Sequence, residues 1–225
     1  MAKVRTYGDG CSIARGLDLV GERWALLVVR ELLLGPKRYT DLRRGLPNVS
    51  PNVLSQRLDE LERAGIVRRR KLPPPAGAWV YELTDWGLEL EPIVLSLGRW
   101  AARSRTAASD APIASADSVI LAMRGLFDPA AAAGLRATYE LRLGEDRFRV
   151  QVADDQIEVA RGDADQADAT IEADPDTLNA VLLEGRSLAD AQRSGAIAID
   201  GDKTAVKRLV RLFPVSEPTA AASPA

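Results

Sequence analysis

The sequence predicts an α+β protein of two modules, a helical one closed by a basic hairpin and a sheet-rich one covered by helices. Three observations carry this. Apolar residues recur at helical spacing through the first hundred residues, whereas residues 139–159 alternate apolar and polar. Charge divides the chain: 18 Lys+Arg stand against 12 Asp+Glu through residue 105, a net of +6, and 12 against 20 after it, a net of −8. Between the halves, residues 103–112 are small and polar and break the apolar periodicity. The expected limits are 1–105 for the first domain, 106–114 for a linker, 115–215 for the second domain and 216–225 for a Pro/Ala/Ser-rich flexible tail.

In the first module, Ile13, Leu17 and Val20 mark a helix over Ser12–Val20 that Gly21 can end. A second, over 24–33 with Trp24, Leu27, Val28, Glu31 and Leu32, stops at Gly35-Pro36. A short helix over 40–45 has Thr40 as its expected N-cap and Leu42 facing inward. The helix over 51–64 starts cleanly: Ser50 can cap it, and Pro51 takes the first position, where a missing N–H costs nothing. Gly65 closes it. Two strands follow, 66–71 and 79–83, joined by the stiff Leu72-Pro-Pro-Pro-Ala-Gly-Ala78. Thr84 then caps one helix reaching Trp100, with Trp86, Leu90, Ile93, Val94, Leu97 and Trp100 as apolar positions.

In the second module, Asp117 is the expected cap of a helix carrying Val119, Ile120, Met123, Leu126 and Phe127. Tyr139/Leu141/Leu143, Phe148/Val150/Val152 and Ile157/Val159 form an antiparallel meander with one buried face, turned at Gly144-Glu-Asp and Asp154-Asp. A fourth strand falls at Ala169–Ala173. Helices open at Asp174-Pro175 and Ser187, a last strand holds Ile197 and Ile199, and Gly201 leads into a helix with Val206, Leu209, Val210 and Phe213.

Composition removes whole classes of chemistry. The 225 residues are 46% apolar and 28% charged, enough for real cores. With no histidine there is no Ser–His or Cys–His pair and no histidine metal site, and a single cysteine forbids an intrachain disulfide or a multi-cysteine cluster. No catalytic site, metal or cofactor is expected, and the protein is not expected to be an enzyme. Apolar runs fall short of the roughly 18 residues of a membrane span, and the N-terminus lacks a signal-peptide pattern, so a cytoplasmic location without membrane contact is expected.

Helices followed by a two-stranded hairpin have the order of a winged helix-turn-helix, and the helix over 51–64 fits the part that enters DNA. At about 100° per residue, Leu54, Leu58 and Leu61 fall within about 60° of one another, while Asn52, Ser55, Gln56, Asp59 and Arg63 lie opposite. Amide and hydroxyl side chains suit base edges in a major groove. A polar outer face is also what any surface helix has, so the neighbouring cations matter. Arg38, Arg43 and Arg44 precede the helix, and Arg68-Arg69-Arg70-Lys71 follows it. Since strand side chains alternate, those last four cannot all serve one surface; they read as a wing gripping sugar-phosphate or as a charged edge strand. The expected DNA contacts are Arg38, Thr40, Arg43, Ser50, Asn52, Ser55, Gln56, Arg57, Arg68, Arg69, Arg70 and Lys71.

Several runs of this module resemble HxlR-type winged-helix regulators of bacteria and archaea: Cys11-Ser-Ile-Ala-Arg-Gly-Leu-Asp-Leu-Val-Gly-Glu-Arg-Trp24, Leu26-Leu-Val-Val-Arg-Glu-Leu32, Arg38-Tyr-Thr-Asp-Leu-Arg43, Val53-Leu-Ser-Gln-Arg-Leu-Asp-Glu-Leu-Glu-Arg-Ala-Gly65 and Tyr81-Glu-Leu-Thr-Asp-Trp-Gly87. The resemblance spans about residues 9–102. It implies a homodimeric transcription factor, often a repressor, with first and last helices in the dimer contact, residues 50–64 as recognition helix and 66–83 as wing. The chain departs from the family at Ser12, where proline often follows the cysteine, and at Ala78-Trp79-Val80, where an arginine usually stands near the wing tip.

Some relatives use the N-terminal cysteine as a redox or electrophile sensor, which makes Cys11 a candidate. Arg15, one turn on, or the helix start can lower its pKa; the alternative is a small apolar filler. Trp24, Trp86 and Trp100 read as core or dimer packing.

In the second module, Ala169-Thr-Ile-Glu-Ala-Asp-Pro-Asp-Thr-Leu178, Leu183-Glu-Gly185 and Ser194-Gly-Ala-Ile-Ala-Ile-Asp-Gly-Asp-Lys203 are similar to sterol-carrier-protein-like domains. The resemblance implies a sheet under helices and an apolar cavity, with Leu178, Val181, Leu182, Leu209, Leu212 and Phe213 as candidate lining; each is also an ordinary core position. Asp154, Asp155, Asp163, Asp165, Asp168, Asp174, Asp176, Asp200 and Asp202 sit mostly at turns and caps, without EF-hand spacing. The expected partners are double-stranded DNA, a second copy of the chain and an apolar small-molecule effector. The competing reading is a lipid-binding or carrier protein whose winged helix serves dimerisation or protein contact.

Overall fold

The computed structural model describes residues 6–104, 113 and 115–214. The expected linker at 106–114 (Ile113 apart) and the tail at 216–225 lie outside the described residues. The fold divides into two compact units between Val94 and Leu95.

The first unit carries α1 (Ser12–Val20), α2 (Ala25–Leu32), α3 (Tyr39–Gly45), α4 (Pro51–Arg63), β1 (Val67–Lys71), β2 (Trp79–Leu83) and α5 (Asp85–Leu88); α6 (Glu91–Ala101) begins in it. Ser50 caps α4 as expected, its hydroxyl accepting the Val53 N–H at 3.4 Å. Two expectations needed correction. Thr40 is not the cap of α3; Arg38 is, and its backbone N–H donates to the Asp41 carboxylate at 3.1 Å. The helix that Thr84 caps is not continuous to Trp100 but breaks between Leu88 and Glu91. Pro92 has no N–H to donate and its ring crowds the preceding turn, so the helix restarts there.

Leu42, Leu46, Leu54, Leu58, Leu61, Val28, Val29 and Leu32 form the core of this unit. Burying each leucine stabilises the fold by roughly 1.5–3 kcal/mol. β1 and β2 pair antiparallel, with Arg69 opposite Tyr81 and Lys71 opposite Trp79. Lys37 adds a short bridge to this hairpin: its N–H donates to the Tyr81 carbonyl at 3.0 Å and its carbonyl accepts from Tyr81 at 2.8 Å. Glu31 on α2, fully buried, accepts from Lys37 Nζ at 2.5 Å and from Arg30 at 2.8 Å. A side chain on Gly45 would meet the Glu31 carboxylate and have to displace it, so glycine lets α3 approach α2 with that carboxylate in place.

The second unit holds α7 (Ala116–Leu126), β3 (Ala137–Leu143), β4 (Asp146–Ala153), β5 (Gln156–Arg161), β6 (Ala169–Ala173), α8 (Pro175–Leu183), α9 (Leu188–Arg193), β7 (Ile197–Gly201) and α10 (Lys203–Arg211). The five strands run in the order β5-β4-β3-β6-β7, antiparallel except for the β3–β6 pair. Tyr139, Leu141, Phe148, Val150, Val152 and Ile171 point to the buried face, where α7 and α10 pack on the sheet and α8 packs on both helices. The Tyr139 hydroxyl donates to the Ala205 carbonyl at 3.0 Å, and burial pushes its pKa up to about 12. Asp117 is not the cap of α7. Ser115 is, while the Asp117 carboxylate is buried against Arg161.

Candidate nucleic-acid interface

Leu54, Leu58 and Leu61, each at most 1% exposed, seat α4 in the core of the first unit, so its opposite face turns outward. Asn52, Ser55, Gln56, Asp59 and Arg63 are all exposed there. The N-terminal end of α4, the end from which recognition helices reach base edges, is tied to α3. Tyr39 donates its hydroxyl proton to the Pro51 carbonyl at 3.0 Å, and Ser55 Oγ donates to the Tyr39 oxygen at 3.4 Å. Arg38, Thr40 and Arg43 are exposed on α3 and at its start, and Ser50 is exposed while capping α4.

Arg57 departs from the expectation of a DNA contact. It is buried on the inner flank of α4, where its guanidinium pairs with Glu60 and lies 3.7 Å from Glu22. The helical angle explains this: Arg57 falls about 40° from Leu61, at the edge of the apolar arc.

The hairpin sorts its cations by face, as strand alternation requires. Arg68 and Arg70 share one face with Glu82, whose two carboxylate oxygens accept from their Nε atoms at 2.7 and 2.6 Å. Burial raises the Glu82 pKa, but hydrogen bonds from Arg70 and Arg68 outweigh it and hold the carboxyl below its ordinary range. Arg69 and Lys71 lie on the other face. The Arg69 guanidinium stacks 4.7 Å from the centre of the Trp79 ring and 5.9 Å from that of Tyr81, an arrangement that stiffens a long side chain while leaving its N–H groups outward. Trp79 is 53% exposed beside it. Sequence reasoning did not single out Glu82, Glu60 or Tyr39. Glu82 had a usable signal, sharing a strand face with the apolar Val80 on a strand facing four consecutive cations, but the hairpin register that puts it between Arg68 and Arg70 was not legible.

Apolar residues crowd the surface elsewhere in the chain. Ile13 (74%) and Leu17 (44%) on α1, and Ile93 (55%), Leu97 (47%) and Trp100 (73%) on α6, are exposed. Cys11 is exposed at the N-cap of α1, and its thiol is shifted below its ordinary pKa by the backbone N–H groups of Ile13 and Ala14, the helix start rather than Arg15.

In the second unit, Leu178, Val181 and Leu182 on α8 and Leu209, Leu212 and Phe213 on and after α10 are each at most 3% exposed, in the layer where α10 packs on α8. The aspartates serve local structure: Asp174 and Asp202 cap α8 and α10, and Asp168 accepts from the Thr138 N–H at 2.7 Å. Among the described residues, no group of three or more His, Cys, Asp or Glu is placed to hold a metal ion, and no helix is long and apolar enough to cross a membrane.

Each half of the chain matches a known family model. Residues 19–109 match the HxlR-like helix-turn-helix family model, and residues 120–219 match the alkyl sulfatase C-terminal model. An uncharacterised HTH-type transcriptional regulator of Bacillus subtilis, YvaP, is 40% identical over 87 residues, which cover 39% of this chain and 81% of the relative. The solved structure of the reduced form of the transcriptional regulator YodB from B. subtilis is 30% identical, with TM-score 0.39, covering 45% of this chain and all of that one. The solved structure of the inverting sec-alkylsulfatase Pisa1 from Pseudomonas sp. is 14% identical, with TM-score 0.40, covering 57% of this chain and 28% of that one.

Proposed function

The chain belongs to the HxlR-like helix-turn-helix family, and from that premise we propose that it is a homodimeric, sequence-specific DNA-binding transcriptional repressor whose second domain takes an apolar effector. The observation that carries the DNA reading is the exposed Asn52, Ser55 and Gln56 face of α4, backed by three buried leucines and flanked by the cations of α3 and the wing. Gln56 and Asn52 read base edges. Arg38, Arg43, Arg69 and Lys71 meet phosphates, which supply affinity and position without sequence information. The exposed Ile13 and Leu17 on α1 and the exposed Ile93, Leu97 and Trp100 on α6 support self-association. A dimer sets two α4 helices into successive major grooves, about 34 Å apart.

The domains function as 1–105 for DNA binding and dimerisation and 115–215 for the effector, with Leu178, Val181, Leu182, Leu209, Leu212 and Phe213 as the apolar wall. An effector acts only through unequal affinity for the DNA-competent and DNA-incompetent dimer. Cys11 gives the first domain a second input. Its exposure and lowered thiol pKa favour reaction with electrophiles or small thiols, and with one cysteine per chain any disulfide joins two molecules.

The test is a selection from random duplex DNA with the purified full chain, repeated with apolar extract, followed by variants on the selected site. Gln56→Ala should lose discrimination between sites, whereas Arg69→Ala should weaken binding to all sequences and flatten its salt dependence. Equal effects of both variants on selected and random duplex refute the assigned roles. Tight lipid binding without salt-sensitive DNA affinity favours the carrier reading instead.

A further inference from the structure

Gln56 is held from behind by a chain of charged groups that starts in another element. Its Nε2 donates to Glu60 Oε1 at 2.9 Å, one helical turn on. The other carboxylate oxygen of Glu60 accepts from Arg57 Nη1. Arg57 keeps 8% of its side chain exposed, and the same nitrogen faces Glu22 Oε2 at 3.7 Å in the turn between α1 and α2.

A side-chain amide has two flips of nearly the same shape that exchange its donor and acceptor ends. The adenine edge accepts at N7 and donates at N6, so one flip matches it and the other opposes it at both atoms. A carboxylate can only accept, so Glu60 tolerates the NH2 end of Gln56 beside it and repels the oxygen end. The NH2 group has two hydrogens. One satisfies Glu60, and the second, with Oε1, remains for a base.

We propose that Glu60, fixed by the buried Arg57, locks the flip of the Gln56 amide and thereby sets which base edge α4 accepts. Glu60 and Arg57 are positioning residues in this scheme, and the inference rests on the reading of α4 as the base-reading helix. A negative charge on that helix also repels phosphates. Removing Glu60 therefore has opposite effects on affinity in general and on discrimination in particular.

The experiment measures the full chain on the site selected from random duplex, on single base-pair variants of that site, and on random duplex. Gln56→Ala identifies the base pair that Gln56 reads. Glu60→Ala, checked by thermal melts because it leaves the buried Arg57 with Glu22 at 3.7 Å, should lose about tenfold discrimination at that same base pair, while its affinity for random duplex stays or rises. The double variant should lose no more than Gln56→Ala alone, because both act through one contact. Arg57→Met should reproduce the loss where thermal melts show it folded. Retained discrimination in Glu60→Ala, or additive losses in the double variant, overturns the lock and leaves the DNA reading intact. Retained discrimination in Gln56→Ala overturns both.

Discussion

Replacing Glu82 by glutamine removes the one carboxylate that two wing arginines share. Arg68 and Arg70 side chains are 61% and 41% exposed, so each pair contributes at most about 1 kcal/mol to the fold, and the variant should remain folded. On DNA the effect is larger. Each guanidinium released from Glu82 is free to neutralise one phosphate, and each neutralised phosphate steepens the slope of log K against log salt by about 0.9. Two such contacts per protomer add about 1.8, or about 3.6 for the proposed dimer, so the gain in affinity over wild type should be on the order of a hundredfold larger at 50 mM than at 200 mM salt. Fluorescence anisotropy with a random duplex over that salt range measures the slope directly. Tighter binding at low salt with unchanged base preference is the expected result. An unchanged slope, or weaker binding at every salt, would mean that Glu82 orients the arginines for phosphate rather than restraining them.

The same residue predicts a pH response. Burial raises the Glu82 carboxyl, the hydrogen bonds from Arg70 and Arg68 lower it further than that, and the folded value ends below the ordinary 4.5. Its stabilisation is thus fully present above pH 4.5 and is lost as pH falls through the depressed folded value. Melting temperature should fall less steeply on acidification in Glu82→Gln than in wild type. Asp154 and Asp155 form the two-residue β4–β5 turn at φ of 51° and 58°, so Asp155→Gly should stabilise the second domain by about 0.5–1 kcal/mol in calorimetry. Gly87→Ala should cost about 1–3 kcal/mol in denaturant unfolding, because a methyl there overlaps the Ile66 carbonyl oxygen. Ile93→Glu with Trp100→Glu should shift the chain toward monomer in sedimentation; an unchanged dimer would move the self-association surface elsewhere.

Local chemistry made much of this legible. Ser50-Pro51 announced α4, Asp174-Pro175 announced α8, and period-two alternation located β3, β4 and β5. The misreadings came where two residues compete for one job. Both Ser115 and Asp117 can cap a helix, and the pull of Arg161 on Asp117 is a long-range fact that no local pattern contains. Thr40 lost its cap role to Arg38 because Asp41 reaches back to the Arg38 N–H. Arg57, expected to contact DNA, lies at a helical angle that puts it beside Leu61. Glu31 was legible as a position on an apolar face, but its partner Lys37 lies across a turn whose geometry the sequence does not specify.

That buried carboxylate constrains how the hairpin can move. Glu31 clamps Lys37, and Lys37 is stitched to Tyr81 on both sides of its backbone, so the hairpin rides on α2 as one solid piece. Bending the wing alone would pull Lys37 away from the buried Glu31 carboxylate. In the proposed dimer, a signal that alters the reach of two wings along a duplex would therefore pivot whole protomers about their shared seam, and the stiff parts of the fold would become the lever arms.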